Sequence, residues 1–215
     1  MDDVEIIASS VLFFVAGFET TASTLTHCLF ELAINEDIQE RLHDEILQAV
    51  GSHLNDTTSN EYSDIVLTKI SFLEAVVKET LRKYPPLGRL TRKCNMDGYK
   101  LAGITLHKNQ VVTVNAYVIH HNSQYYPEPE RFNPDRFMPE NRHLLVPYTY
   151  MPFGQGPRNC IGMRFAYQEL KLCLAKIVAR YKFTVTDNTP KKLVLAKNAL
   201  QVSRTFPLKV SRRPE

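Results

Sequence analysis

The sharpest chemistry in the sequence lies at Cys160, within Phe153-Gly154-Gln155-Gly156-Pro157-Arg158-Asn159-Cys160-Ile161-Gly162. A cysteine between a glycine-rich turn and a helix start is well placed to be a thiolate. Helix-terminal N–H groups and the guanidinium of Arg158 both favour the anionic sulfur over the thiol. Gly156 and Gly162 carry no Cβ, so backbone amides and a flat cofactor can approach that sulfur closely. A free cysteine is more often a small buried hydrophobe. Here Phe, Gly, Arg, Cys and Gly hold five fixed places in ten residues, which chance gives in about one chain of this size in ten thousand.

Two further constellations stand upstream. In Ala16-Gly17-Phe18-Glu19-Thr20-Thr21 an acid and a hydroxyl sit on adjacent residues, a pairing that can relay protons. The competing reading is a helix in which the threonine bonds back to a carbonyl. Glu79 and Arg82 stand three apart, so on a helix both charges share one face. That spacing arises by chance about once in a chain of this length, and Glu128 with Arg131 is a second instance.

These residues need elements to hold them. Residues 4 to 34 contain no proline and only Gly17 as interruption, and they predict one helix of about 45 Å. Its middle is apolar on nearly every face, so protein must surround it. Asn35 is expected to cap a second helix with Ile38, Leu42, Ile46 and Val50 on its apolar side and Gly51 at its end. A polar loop should follow. Ser71 and Glu74 have the spacing of a capping box opening a third helix with Leu73, Val77 and Leu81 on one face, stopped by Pro85 and Pro86. Residues 89–118 read as a small sheet with turns at Asp97-Gly98 and Lys108-Asn109. Seven of the twelve prolines fall between residues 122 and 157, which predicts a meandering loop held down by aromatic side chains. Residues 161–181 predict a fourth helix, and the tail alternates like short strands.

The pattern F-x-x-G-x-R-x-C-x-G is the haem-binding signature of the cytochrome P-450 superfamily, and the sequence resembles it at every fixed position. The resemblance implies that Cys160 is the axial thiolate on haem b iron and Arg158 a propionate partner. Phe153 would shield the sulfur, and Gly156 and Gly162 would allow close approach. Ala16, Gly17, Glu19 and Thr20 are similar to the family's oxygen-activation motif, with Gly17 making room for dioxygen and Glu19 and Thr20 relaying protons. Glu79 and Arg82 match E-x-x-R, and Pro129-Glu130-Arg131-Phe132 resembles the family's P-E-R-F stretch. That match implies a buried structural network of Glu79, Arg82 and Arg131. Arg92 stands where a second propionate-binding arginine is common. The same alignment implies a substrate pocket lined by Phe13, Ala16, Thr20, Leu87, Gly88, Arg89, Leu90, Thr91, Asn198, Ala199 and Leu200, apolar in the main and suited to a lipophilic molecule.

The fold class implied is mainly α with a small β portion. The whole of residues 1–215 would be the C-terminal, haem-binding part of a single cytochrome P-450 domain, with the N-terminal part and its membrane anchor outside this chain. The activity implied is a haem-dependent monooxygenation most like that of animal microsomal members, on the endoplasmic reticulum membrane. Electrons would come from a flavoprotein reductase docking near Arg164 and Lys171. A haem-thiolate isomerase or dehydratase is the rival within the fold, against which Glu19 and Thr20 argue. An inactive haem-binding fragment is the rival outside it.

Composition agrees. Among 215 residues, 44% are hydrophobic and 23% charged, which excludes disordered and fibrous classes. A formal charge of +3 with no basic run gives nucleic-acid binding no support. The longest apolar run, residues 11–18, is under half of a bilayer span, so no transmembrane helix is expected. The acidic start, with Asp2, Asp3 and Glu5, does not read as a signal peptide. Cys28, Cys94, Cys160 and Cys173 lack C-x-x-C spacing, so neither structural zinc nor a disulfide scaffold is expected. The adjacent His120 and His121 read as loop or helix-end residues, not metal ligands.

Overall fold

Asp2 opens the first helix by a reciprocal cap: its carboxylate accepts the Glu5 N–H at 2.8 Å, and Glu5 accepts the Asp2 N–H at 3.1 Å. Helix α1 then runs over Asp3–Ile34 in the computed structural model, which describes residues 2–195 and 200–214. Its two halves differ. All nine of its buried residues lie between Thr21 and Ala33, against α2 (Glu36–Val50), α4 (Ser71–Lys83) and α6 (Met163–Arg180). In the first half Phe14 is 79% and Phe18 74% exposed. By length and composition α1 is long and apolar enough to cross a bilayer. A core helix surrounded by protein passes the same test of length and composition.

Asn35 stands at the N-cap of α2, where its carbonyl accepts the Gln39 N–H at 3.1 Å, but its side chain makes no capping bond there. Its N–H and Nδ2 both donate to the Glu31 carbonyl, at 2.9 and 2.8 Å, so it also closes α1. On α2 the expected residues Leu42, Ile46 and Val50 are buried, and Gln39 with them. Gln39 behaves like a strand residue. Its Oε1 accepts the Phe183 N–H at 2.8 Å, and its Nε2 donates to the carbonyls of Phe183 at 2.9 Å and Leu32 at 2.8 Å.

The segment read as a polar loop contains helix α3, Asn60–Thr68. The Ser59 hydroxyl accepts the Tyr62 N–H at 3.2 Å, and Tyr62 and Val66, one turn apart, are fully buried. Helix α4 begins at Ser71 with Ile70 as its cap, so the expected capping box does not form. Glu74 turns instead to Lys78 at 2.6 Å and Lys171 at 3.4 Å. The small sheet is two separate antiparallel ribbons, β1 (Leu90–Lys93) with β4 (Val111–Val114) and β2 (Tyr99–Leu101) with β3 (Ile104–Leu106). Between β2 and β3 the chain turns through Ala102 and Gly103, both at positive φ, the twist a tight hairpin requires.

Helix α5, Ala116–His120, follows β4. The proline-rich stretch then meanders through short 3-10 turns, Pro134–Phe137 and Pro139–Leu144, with Tyr126, Phe132, Phe137 and Met151 buried beneath it. After α6 the tail forms a third ribbon, β5 (Tyr181–Thr184) with β6 (Lys209–Arg212). The architecture is mainly helical with small β ribbons.

Candidate functional site

The cysteine loop is built by backbone bonds. The Cys160 N–H donates to the Phe153 carbonyl at 2.8 Å, closing residues 153–160 into a loop, and the Gly154 N–H donates to the Met151 carbonyl at 3.1 Å. Gly154 and Gly156 sit at φ 75° and 78°, a conformation in which a side chain would be strained. Gly156–Arg158 form one 3-10 turn, closed by the Asn159 N–H on the Gly156 carbonyl at 3.1 Å. Cys160 is exposed at the loop's end, and α6 begins three residues later.

The residues around the sulfur suit a flat apolar group. No atom lies within 4 Å of where a Cβ on Gly156 would be, and a Cβ on Gly162 would stand 3.9 Å from the Cys160 Sγ. Ile161 is 86% and Phe165 66% exposed beside the loop. Phe153 packs its ring on Tyr167 at 5.2 Å. Arg158 is exposed, as is Arg92 on β1, whose Nη1 donates to the Thr91 carbonyl at 2.8 Å. Among the described residues no three His, Cys, Asp or Glu side chains converge to hold a metal ion.

Behind the loop lies a buried charge network. Glu79 and Arg82 are fully buried on α4 and joined by two hydrogen bonds, Nε to Oε2 at 2.7 Å and Nη2 to Oε1 at 2.9 Å. Arg82 also donates to the carbonyls of His120 at 3.0 Å and Pro129 at 2.8 Å, and the Asn133 N–H donates to Glu79 at 2.9 Å. Burial pushes the Glu79 carboxyl above its usual range, although Arg82 opposes the shift.

Arg131 is not in this network. It is 69% exposed and sits 3.5 Å from Glu128, a solvated pair three residues away. The third member is Arg136, 11% exposed, whose Nε lies 3.5 Å from Glu79 Oε1 and whose Nη2 donates to the carbonyls of Pro127 and Glu128 at 2.5 and 3.0 Å. The reason is positional. The 3-10 turn Pro134–Phe137 packs on α4 and carries Arg136 inward, whereas residue 131 lies on the outer side of the strap. Pro134-Asp135-Arg136-Phe137 repeats the pattern of Pro129-Glu130-Arg131-Phe132 five residues on, a signal that sequence alone leaves two-fold ambiguous.

The other expected residues fall in three places. Ala16, Gly17, Glu19 and Thr20 lie on the open half of α1, where Phe13 is 60% exposed. The Thr20 hydroxyl donates to the Ala16 carbonyl at 2.7 Å. Leu87 and Leu200 form a β-bridge, and a Cβ on Gly88 would meet the Gln201 amide at 2.5 Å, so these parts of the expected pocket wall are brought together. Arg89 is exposed and Leu90 half-buried. Asn198 and Ala199 lie outside the described residues. Of the docking pair, Arg164 is exposed, but Lys171 is 5% exposed, with its ammonium on the Leu67 carbonyl at 2.5 Å and near Glu74. Lys171 therefore cannot offer its charge to a partner.

The sequence model of the family described as Cytochrome P450 matches residues 1–210. Cytochrome P450 3A2 of Rattus norvegicus is 44% identical over 211 residues, covering 98% of this chain and 40% of that protein. Cytochrome P450 3A9 of the same species is 42% identical over 216 aligned positions, covering 100% of this chain and 42% of that protein. Cytochrome P450 3A11 of Mus musculus is 41% identical over 211 residues, with 98% and 40% covered. The chain thus spans about two fifths of the length of the curated relatives it matches.

Proposed function

The chain belongs to the cytochrome P450 family, and from that premise we propose that it is the C-terminal, haem-binding portion of a haem-thiolate monooxygenase. The reaction proposed inserts one atom of dioxygen into a lipophilic small molecule, a xenobiotic, lipid or hormone. The observation that carries the reading is the exposed Cys160 Sγ at the end of a loop whose glycines leave its face open. Haem held by a cysteine thiolate supplies dioxygen activation and O–O cleavage when bound.

The chain's own residues then have separable tasks. Phe153 fixes the position of Cys160 through its carbonyl. Arg158 and Arg92 offer guanidinium groups to carboxylates at the rim. Glu19 and Thr20 would relay protons through the carboxyl group and Oγ1, while Ala16 and Gly17 keep the helix surface low beside them. Phe13, Leu87, Leu90 and Leu200, with Gly88 and Arg89, wall the substrate side and keep water from it. The apolar surface on the open half of α1 supports a fold in which further protein packs there. In this reading the protein works at the endoplasmic reticulum membrane and takes electrons from a flavoprotein reductase on the Arg164 side.

The test is one spectrum. Supplied with haem and reduced under carbon monoxide, the full-length enzyme is expected to give the strongly red-shifted Soret band of a thiolate complex, and Cys160→Ala to lose it. A colourless protein, or a pigment unchanged by Cys160→Ala, would overturn the proposal.

A further inference from the structure

We propose that His120 is a positioning residue that sets the register of the cysteine loop against the buried Glu79–Arg82 pair. This rests on reading Cys160 as the thiolate ligand. His120 is fully buried at the end of α5, far from Cys160 in sequence, and both of its ring nitrogens are engaged. Nε2 accepts the Met151 N–H at 2.9 Å, so the ring proton is on Nδ1, which donates to the Arg82 carbonyl at 3.1 Å. The His120 carbonyl in turn accepts from Arg82 Nη1 at 3.0 Å. The imidazole and its own backbone therefore clasp Arg82 from two sides.

From Met151 the path to the sulfur is short. The Met151 carbonyl accepts the Gly154 N–H, and the neighbouring Phe153 carbonyl accepts the Cys160 N–H. Tyr150 stacks on the imidazole at 5.7 Å and 20°, and its hydroxyl donates to the Lys78 carbonyl at 3.2 Å, so the ring cannot swing aside. The neutral ring thus joins two segments 31 residues apart in sequence at the point where the loop starts. A buried Met151 N–H has no substitute acceptor from solvent, which makes its loss felt along the loop.

The two halves of the clasp can be removed separately. His120→Gln places an amide oxygen near the Nε2 position and keeps an acceptor for Met151. His120→Asn reaches only the Nδ1 position and keeps the bond to Arg82. In the full-length haem-loaded enzyme, His120→Gln should retain the red-shifted band on warming about as well as the parent. His120→Asn should lose it at a lower temperature, with amide exchange at Met151 and Cys160 faster by about 10- to 100-fold. Equal behaviour of the Gln and Asn variants, or parent-like exchange at Met151 in the Asn variant, would overturn the proposal. If the parent itself shows no red-shifted band, the ligand assignment falls. Amide exchange at Met151 and the Cys160 N–H then still decides the clasp.

Discussion

Replacing Arg136 and Arg131 in turn by alanine separates the network the structure builds from the one that motif matching suggests. Arg136 loses two charged donations, to the carbonyls of Pro127 and Glu128, and its place 3.5 Å from Glu79. Hydrogen bonds from charged groups contribute about 1.5 to 3 kcal/mol each. Both accepting residues are exposed, so water can replace the lost donor and the cost stays near the low end. We expect Arg136→Ala to destabilise by about 2 to 3 kcal/mol, roughly a 30-fold or greater fall in the folded-to-unfolded ratio. Arg131→Ala removes a pair 69% and 73% exposed, worth at most about 0.5 kcal/mol. Urea unfolding of the two variants, followed by circular dichroism against the parent, gives the comparison directly. An Arg131→Ala cost equal to or above that of Arg136→Ala would refute the assignment.

Two other outcomes follow from buried or partly buried polar groups. Burial lowers the pKa of both His27 and His120 from 6.5 to about 4. The unfolded chain takes up these protons as pH falls below about 6.5, while the folded chain resists until about 4. Stability should therefore be full above pH 6.5 and fall between 6.5 and 4 by up to about 3 kcal/mol per histidine. A pH series of unfolding midpoints checks this, and His27→Leu should remove about half of the fall. Thr20→Ala gives up one hydroxyl bond inside α1, so its stability should change by less than about 1 kcal/mol. On the proposed relay the same variant should consume more dioxygen per product formed, and parent-like coupling would remove Thr20 from the relay.

The elements that could be read from sequence were those whose reason is local. The glycines at 154 and 156, the alternation on α2 and the proline-rich strap each follow from near neighbours. What could not be read depended on what the chain meets elsewhere. Helix α3 hides in a polar segment because only Tyr62 and Val66 of its residues are fully buried. Asn35 and Glu74 each have the right type for a helix cap, but Glu31, Lys78 and Lys171 offer them better-placed partners. Lys171 looks like surface charge until the Leu67 carbonyl is seen to hold it. Arg131 and Arg136 share one four-residue pattern, and only the packing of the 3-10 turn on α4 tells them apart. His120 could be placed at a helix end, yet nothing in the sequence links it to Met151.

The way Gln39 holds Phe183 bears on the order in which the molecule assembles. Contacts across 144 residues carry a large loop-closure cost when the chain is open, and that cost falls once the intervening helices are packed. Among the described residues the final ribbon has no neighbouring strand to template it beyond its own pair, and Arg213 reaches Glu40 on the same helix at 2.6 Å. The last strands are thus fastened late, onto a bundle already formed, and act as a clasp on its completion instead of a nucleus for it.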